Sequence, residues 1–458
     1  MSNVSKKIPT SYVFVLGLML FAMYFGAGNL IFPAIIGQKA GTNVVTSMLG
    51  FFLTGVGLPL LSFLTLVHTG KDNIQDLASR VTPWFGVTFA VILYLAIGPF
   101  FAIPRAGTVA FEIGIKPFSG ALGESSTLFI FSVIFFGIAC LMSVFPGKVV
   151  DIVGKYLTPL KIGLIAVLII AAVSAPMGPI QGPSKEFIET PFINGFKEGY
   201  LTLDAMASFA FGIIIIDAVR VKGATAKKDI MSASLKAILI AATLLVVMYS
   251  ALAYMSATSV TKIGMQTNGG EVLAKVSNYY FGTYGNILLG FMISVACMTT
   301  CVGLLSSCSS YFNRLYPKIS YQKYVILFSV FSLLVSNLGL TGLIKFSEPI
   351  LNTIYPLAIC LVFLLLMDKF FKGHRRVYQM VILFAFVISL FDGLKTANIE
   401  VPGISAALEN YLPLYTTGLG WVIPAIIGCL VGLVWAKFEP DPVSAKRVSE
   451  EHPTTQTN

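Results

Sequence analysis

Long apolar runs separated by short polar segments dominate the amino-acid sequence. The first run, from about Tyr12 to Ile36, is longer than the roughly 20 residues that a helix needs to cross a bilayer. Eleven further runs follow it, so the pattern predicts twelve membrane-spanning helices. Their predicted ranges are 12–36, 42–67, 85–111, 126–145, 156–175, 198–219, 230–256, 284–313, 321–340, 346–367, 377–394 and 416–436.

The middle of the first run does not suit a continuous helix. It contains Phe25-Gly26-Ala27-Gly28-Asn29, and glycine and asparagine are poor residues for a helix interior. Because hydrocarbon offers no water to an open backbone group, irregular backbone within a membrane must face protein or an aqueous cavity. A helix interrupted here would turn N–H and C=O groups toward one point, where they can bind a small solute. The alternative is a glycine-rich face that lets a neighbouring helix approach closely.

The order of the runs indicates an internal repeat. Spans one to five and spans six to ten form two groups of five. Corresponding spans of the two groups begin a similar number of residues apart in the chain. Because five is odd, the second group enters the membrane from the opposite side, so the repeat is inverted. The sixth span should then contain a second break, and the stretch Ala207–Gly212 offers it. Two interrupted spans at matching positions indicate a binding site.

This pattern predicts an all-α membrane protein with discontinuous helices 1 and 6. Its predicted segments are an N-terminal segment (1–11), repeat one (12–175), repeat two (198–371), two C-terminal helices (377–436) and a polar tail (437–458). Two longer outer loops, 176–197 and 257–283, would either cap an outer vestibule or serve as solvated connectors.

Composition and charge agree with a membrane protein. Of the 458 residues, 56% are hydrophobic and 11% are charged, whereas a soluble domain carries about 25% charged residues. With both termini inside, the inner segments carry more than twice as many lysines and arginines as the outer ones, with Arg105 counted among the outer ones. This is the positive-inside pattern, so we expect cytoplasmic termini and contact with anionic lipid rather than nucleic acid.

The sequence offers little chemistry for an enzyme or for a cofactor. It contains no G-x-x-x-x-G-K-[ST] phosphate loop and no H-E-x-x-H motif. We assign four titratable residues to the interior of predicted spans, Asp204, Lys161, Lys236 and Asp392, and count those nearer to the span ends with the connecting segments. We therefore expect no enzyme activity and no cofactor, and the spans are too apolar to suggest a passive channel.

Asp204 is singled out because an ionisable residue within a span is functional by default. We predict that it lies one turn before the second break and tunes access or coupling. The alternative is a carboxylate at the start of a half-helix, stabilised there by local amides.

Four motifs resemble bacterial branched-chain amino acid carriers. They are Phe21–Pro33, Gly98–Arg105, Gly199–Ala205 and Cys297–Leu304, and the resemblance extends over about 12–440. It implies the five-plus-five inverted-repeat fold of the sodium-dependent leucine transporter. It also implies import of leucine, isoleucine or valine across the bacterial plasma membrane with a coupling cation, and leaves the preference among the three open.

The resemblance implies a substrate site at the two breaks. The substrate carboxylate is expected against the backbone amides of Gly26, Ala27 and Gly28, where a half-helix starts and favours an anion. The substrate ammonium would meet carbonyl groups around Ala207 and Ser208.

Other side chains near the breaks have two interpretations each. Met206, Phe209 and Phe211 either wall a pocket for the substrate side chain or pack in the core, and Asn29 either contacts substrate or braces the break. The two breaks contain no charged residue, so a charged substrate side chain would lie unpaired. A zwitterion with an aliphatic side chain fits best, and another neutral amino acid is the alternative.

The coupling ion is expected to be sodium, bound at one site between spans one and eight. Its implied ligands are the carbonyls of Ala22, Phe25 and Ala296 and the hydroxyls of Thr299 and Thr300. Oxygen ligands suit a hard cation, although such hydroxyls also form interhelical hydrogen bonds. The alternative is proton coupling through Lys161, whose ammonium would occupy the same place, since a buried lysine can titrate. Lys161 would otherwise reach the inner membrane surface.

Overall fold

The computed structural model describes residues 8–70, 73–119, 123–144, 158–224, 226–399, 401 and 403–439. Within these ranges every regular element is a helix, which confirms the all-α prediction. The α-helices in chain order are α1 (Thr10–Tyr24), α2 (Ala27–Ala40), α3 (Val44–Phe52), α4 (Leu58–Thr69), α5 (Ile74–Ala78), α6 (Pro83–Leu95), α7 (Ala102–Gly114), α8 (Glu124–Val144), α9 (Thr158–Ser174), α10 (Glu186–Glu189), α11 (Pro191–Tyr200), α12 (Asp204–Val221), α13 (Lys227–Ala257), α14 (Val260–Ile263), α15 (Gly269–Leu315), α16 (Tyr321–Ser336), α17 (Gly339–Leu366), α18 (Arg375–Thr396), α19 (Ile404–Tyr411) and α20 (Val422–Phe438). Two five-residue π-helical turns, Leu53–Gly57 and Ala96–Phe100, precede α4 and α7.

The helices have the length and composition of membrane spans. In the described part of the chain, seven helical stretches are long and apolar enough to cross a membrane. There are eight if α11 and α12, which are bent by 41°, form one broken span, and four shorter apolar helices accompany them. This composition is that of a multi-pass membrane protein, and the number of twelve spans stays a prediction.

One compact unit comprises Met1–Leu60 and Leu93–Ser347. Its long helices approach each other at small residues. Gly114 of α7 lies against Gly290 of α15, and Gly37 of α2 lies against the carbonyl of Ala253 in α13. A Cβ atom on Gly37 or Gly290 would overlap the neighbouring helix, and one on Gly114 would be tightly crowded, so the small size of these residues permits the close packing.

The other compact unit comprises Leu61–Ile92 and Glu348–Asn458. Helices α18 and α20 pack along each other within it. Arg80, after α5, donates a hydrogen bond of 2.5 Å to Asp368, and the Tyr378 hydroxyl donates to the same carboxylate at 2.6 Å. This buried polar cluster ties α5 to the start of α18.

The prediction of an outer loop over residues 257–283 is wrong for much of that range. Helix α15 already begins at Gly269, and the Asn268 side chain caps it by accepting a hydrogen bond from the Glu271 amide at 3.0 Å. Asparagine is a favoured N-cap residue, but the glycines and polar residues around it obscured the helix. The chain then kinks at Gly282, where φ is 61°.

The predicted loop 176–197 also contains helix, because α11 starts at Pro191. Proline is favoured in the first turn of a helix, where its missing N–H needs no partner. The sixth predicted span therefore begins earlier than residue 198, and its first half is α11.

The first predicted break is confirmed, and the second lies elsewhere. Helix α1 ends at Tyr24 and α2 begins at Ala27, so the chain is interrupted at Phe25 and Gly26. The stretch Ala207–Gly212 is part of α12 and is not broken. The second interruption is Leu201–Leu203, between α11 and α12.

Local chemistry explains the position of the second break. Thr202 donates its hydroxyl to the Gly199 carbonyl at 2.9 Å and accepts from the Asp204 amide at 3.4 Å. Leu203 adopts a left-handed conformation with φ of 67°. Farther on, Ser208 returns its hydroxyl to the Asp204 carbonyl at 2.7 Å, a bond that is compatible with helix. Thr202 and Asp204 are thus the signal of a helix start.

Candidate functional site

The first break presents the start of a half-helix to the protein interior. Gly26 is extended, with φ of −99° and ψ of −160°, and its amide donates to the Tyr24 carbonyl at 2.6 Å. Ala27 and Gly28 are the first two residues of α2, so their amides have no acceptor within that helix. The positive end of the helix dipole favours an anion there. Of the three predicted amides, that of Gly26 is already engaged.

The second break is held by an arginine from another helix. Arg105 of α7 is 4% exposed, and its guanidinium donates hydrogen bonds to the carbonyls of Leu201 and Thr202. The guanidinium also lies over the Phe32 ring, 5.3 Å from the ring centre. A Cβ atom added to Gly28 would lie 3.1 Å from its Nη2 atom. Arg105 therefore contacts both breaks.

A second polar cluster joins the breaks to α13. The Asn29 side-chain amide donates to the Asp204 carboxylate and to the Tyr249 hydroxyl, and all three residues are buried. Close by, the Tyr24 hydroxyl and the Ser208 hydroxyl lie 2.7 Å apart and share a hydrogen bond. Asn29 thus braces the first break against the start of the second half-helix.

The prediction that Asp204 lies one turn before the second break is wrong. It is the first residue of α12, directly after the break. The two breaks themselves contain no charged residue, as expected, but Asp204 borders the second break and Arg105 reaches it from α7. The Arg105 guanidinium and the Asp204 carboxyl group interact electrostatically.

The two breaks surround one buried cavity of about 40 Å³. It is lined by Met23, Tyr24, Gly26, Ala27, Gly28, Asn29, Ile97, Ala102, Arg105, Ala106, Thr202, Leu203, Asp204, Ala207, Phe211, Thr300 and Leu304. Backbone groups, one guanidinium and one carboxyl group share its wall with aliphatic and aromatic side chains. Such a wall suits a small molecule that is both zwitterionic and apolar.

Some of the predicted substrate residues do not reach this cavity. Met206, Ser208 and Phe209 are buried but do not line it, so their assignment as substrate residues stays a prediction. Asp204, Ala207 and Phe211 line it because helix positions i, i+3 and i+7 share one face. The carbonyls around residues 207 and 208 belong to a continuous helix, and the carbonyls that accept from Arg105 are those of Leu201 and Thr202.

Of the predicted sodium ligands, Thr300 lies at the cavity. Both Thr299 and Thr300 donate their hydroxyls to the Ala296 carbonyl, at 2.6 and 3.3 Å. The Thr300 hydroxyl would lie 3.5 Å from a Cβ atom on Gly26. Phe25 follows the last turn of α1 and stacks on Phe21, with ring centres 5.0 Å apart.

For two further predicted residues we give only the helix in which they lie. Ala22 lies within α1. Lys161 falls in α9, but its side chain lies outside the described residues, so its role stays a prediction.

Sequence reasoning missed Arg105 as a site residue and counted it in an outer segment. The structure places it inside α7, where it is buried. The available signal was a single arginine in an apolar run, at the end of the motif Gly98–Arg105. An ionisable residue in such a run is functional by default.

Comparison with known proteins identifies the family. Residues 9–439 match the family described as "Branched-chain amino acid transport protein". The branched-chain amino acid permease BrnQ of Bacillus subtilis is 55% identical over 434 residues, which cover 95% of this chain and 99% of the relative. The permease BraB of the same organism is 45% identical over 94% of this chain and 97% of its own.

Solved structures show the fold. Mhp1, described as a nucleobase-cation-symport-1 family transporter with bromovinylhydantoin bound, has a TM-score of 0.61 at 14% identity over 95% of this chain and 96% of its own. MhsT in complex with L-phenylalanine has a TM-score of 0.54 at 15% identity over 92% and 98%. At such identities the likeness concerns the fold alone. With the family match over most of its length, the chain belongs to the branched-chain amino acid transport protein family and is a multi-pass membrane protein.

Proposed function

We propose that this chain is a secondary active importer of branched-chain amino acids that works by alternating access. The observation that carries the proposal is the meeting of two interrupted helices at one cavity that is lined by the Arg105 guanidinium and the Asp204 carboxyl group. Relatives at 55% and 45% identity are named branched-chain amino acid permeases, which supports the substrate class.

The cavity wall supports a zwitterion with an aliphatic side chain. The Ala27 and Gly28 amides start a half-helix and suit the carboxylate. Ile97, Phe211 and Leu304 provide apolar surface for the side chain. A cavity of about 40 Å³ holds only a few water molecules, so the wall must open to admit an amino acid. This requirement agrees with alternating access.

The proposal includes the predicted topology. Twelve spans, with an inverted repeat over 12–175 and 198–371, would place both termini in the cytoplasm of a bacterium. Support comes from the positions of the two breaks, one in the first span of each group of five. The basic residues of the inner segments would then face anionic lipid.

We propose sodium as the coupling ion, at the site predicted near Thr299 and Thr300. The position of the Thr300 hydroxyl beside Gly26 supports it, because a cation there would lie next to the end of α1, the negative end of a half-helix dipole. Carbonyl and hydroxyl oxygens are suitable ligands for a hard cation. Proton coupling through Lys161 remains the alternative.

The substrate is tested by uptake of radiolabelled leucine into proteoliposomes under defined cation gradients. Unlabelled valine, proline and phenylalanine serve as competitors. We expect valine to compete strongly and the other two weakly, because the apolar wall is small. Equal competition by all three, or no uptake under any gradient, contradicts the proposal.

The coupling ion is tested with Thr299→Ala and Lys161→Ala at fixed pH under a sodium gradient. We expect Thr299→Ala to lose sodium-driven uptake, because a proposed ligand oxygen is removed, and Lys161→Ala to keep it. Thr243→Ala is the matched control, since the exposed Thr243 hydroxyl bonds only its own helix, at the Leu239 carbonyl. Uptake that follows pH, ignores sodium and disappears in Lys161→Ala would mean that the proton is the coupling ion.

A further inference from the structure

Arg105 occupies carbonyl groups that a substrate ammonium would need. Its Nη1 atom donates to the Leu201 carbonyl and its Nη2 atom donates to the Thr202 carbonyl, the latter at 3.2 Å. Both carbonyls lie in the second break, after the last turn of α11. The guanidinium therefore provides donors where regular helical hydrogen bonding is interrupted.

The same guanidinium faces the start of α2. Its Nη2 atom is the nearest atom to a Cβ built on Gly28, at 3.1 Å. The amides of Ala27 and Gly28 begin α2, so a carboxylate bound at these amides lies beside the Arg105 cation. The Phe32 ring supports the guanidinium from one side.

We propose that Arg105 binds the substrate carboxylate and that the substrate ammonium replaces Arg105 at the Leu201 and Thr202 carbonyls. This inference rests on the proposed amino acid transport and assigns a substrate contact to a residue outside the two breaks. The exchange substitutes one set of charge-assisted hydrogen bonds for another. Each buried group keeps a partner, as buried charges require.

Charge balance favours a zwitterion in this exchange. A zwitterion brings an ammonium for the carbonyls that Arg105 leaves and a carboxylate for Arg105 itself, so its binding does not change the net charge of the site. A ligand with an ammonium but no carboxylate would take the Leu201 and Thr202 carbonyls from Arg105 without offering the guanidinium an acceptor in exchange. Removing hydrogen-bond acceptors from a buried charged group is unfavourable.

The test is equilibrium binding to the purified full-length protein with three ligands: leucine, leucinamide and 4-methylpentanoate. The last two lack the charged carboxylate and the ammonium, respectively. We expect the parent protein to prefer leucine over leucinamide by about 100-fold or more. Arg105→Gln should lower leucine affinity, because the carboxylate loses the guanidinium, and raise leucinamide affinity, because no guanidinium has to leave the carbonyls. The preference should thereby be abolished. The methylpentanoate should bind the parent weakly, because it cannot replace Arg105 at the carbonyls.

Two further variants complete the experiment. Arg105→Lys keeps the charge but loses the fork that reaches two acceptors, so leucine affinity should fall about 10-fold while the preference for leucine persists. Arg220→Gln is the matched control, since Arg220 is exposed at the end of α12 and pairs with Asp217 at 3.3 Å. It should bind all three ligands as the parent does.

Several outcomes would overturn the inference. They are a folded Arg105→Gln protein that keeps the parent's preference for leucine, and a parent that binds leucinamide as well as leucine. Equal loss of both affinities in Arg105→Gln would assign Arg105 a structural role. If Arg105→Gln does not fold, unchanged leucine affinity in Arg105→Lys contradicts the inference. A parent that binds another neutral amino acid instead of leucine contradicts the proposed substrate alone, and that amino acid and its amide then replace leucine in the test.

Discussion

The two helix breaks reach the same cavity by different means. The first is short, at Phe25 and Gly26, and its own residues open it, with the Gly26 amide bonded to the Tyr24 carbonyl. The second is longer and includes Leu203 in a left-handed conformation with φ of 67°. That conformation is unfavourable for a residue with a Cβ atom, and Arg105 from α7 bonds the carbonyls beside it.

The difference shows that a break can be local or tertiary in origin. Glycine and asparagine have low helix propensity at any position in a helix, so the local sequence is sufficient to cause the first break. The second has local hydrogen bonds at Thr202 and, in addition, a donor 96 positions away in the chain. Substitutions at the first break should therefore act on binding directly, whereas those at the second should act through the contacts that hold it.

The largest expected effect is at the first break. Gly28→Leu should abolish leucine binding, because a side chain there meets the Arg105 guanidinium and the Phe32 ring. Overpacking of this kind lowers the unfolding free energy by about 1–3 kcal/mol, so the protein should still fold. Thermal unfolding with and without leucine measures both effects, and the leucine-induced shift should vanish.

Gly137→Leu is the control for this change, since a Cβ on Gly137 in α8 meets nothing within 4 Å. It should keep the leucine-induced shift. If Gly28→Leu folds poorly but shows a normal shift in its folded fraction, Gly28 serves packing and the first break is not a binding site.

A smaller effect is expected at the second break. Asp204→Asn should lower the transport rate about 10-fold or more, because a charge-assisted hydrogen bond is worth about 1.5–3 kcal/mol. Leucine affinity should fall less, since the remaining amide oxygen still accepts from Asn29. Uptake rate and equilibrium binding are measured on the same preparation.

Asp217→Asn is the matched control on the same helix, where Asp217 pairs with the exposed Arg220. It should change neither quantity. If Asp204→Asn also changes neither, Asp204 only stabilises the start of α12, as the alternative interpretation holds.

The smallest effect should come from the contact that braces the breaks from α13. Tyr249→Phe removes one acceptor of the Asn29 amide and keeps the ring that lies against Phe51 and Phe25. The unfolding free energy should fall by about 1 kcal/mol, and leucine affinity should stay within about threefold. Chemical or thermal unfolding measures the first and equilibrium binding the second. A complete loss of binding would show that the brace itself forms the site.

The sequence predicted what depends on neighbouring residues. The apolar runs gave the all-α membrane class, and Gly26 and Gly28 marked the first break, because helix propensity is local. It failed where the helix signal was polar, as at Asn268, which caps α15, and at Thr202, which precedes α12. These residues resemble loop residues unless their side-chain bonds to the backbone are known.

The site was predicted in part for the same reason. Ala207 and Phe211 line the cavity, and Met206 and Phe209 do not. Which residues of α12 face the cavity depends on where that helix begins, and the second break was predicted at the wrong residues. Arg105 could not be assigned from its neighbours, because its partners lie on other helices. Long-range contacts of this kind leave no periodic trace in a single sequence.

Asn29 is the feature with the widest consequence for sequence variation. Its side-chain nitrogen carries two hydrogens. It donates hydrogen bonds to Asp204 of α12 and to Tyr249 of α13. Aspartate at position 29 would set a second carboxylate against Asp204, serine would offer a single hydrogen, and glutamine would be one methylene too long for the buried space. We therefore expect single substitutions at position 29 to disrupt the hydrogen bonds to Asp204 and Tyr249 unless one of these two partners changes as well.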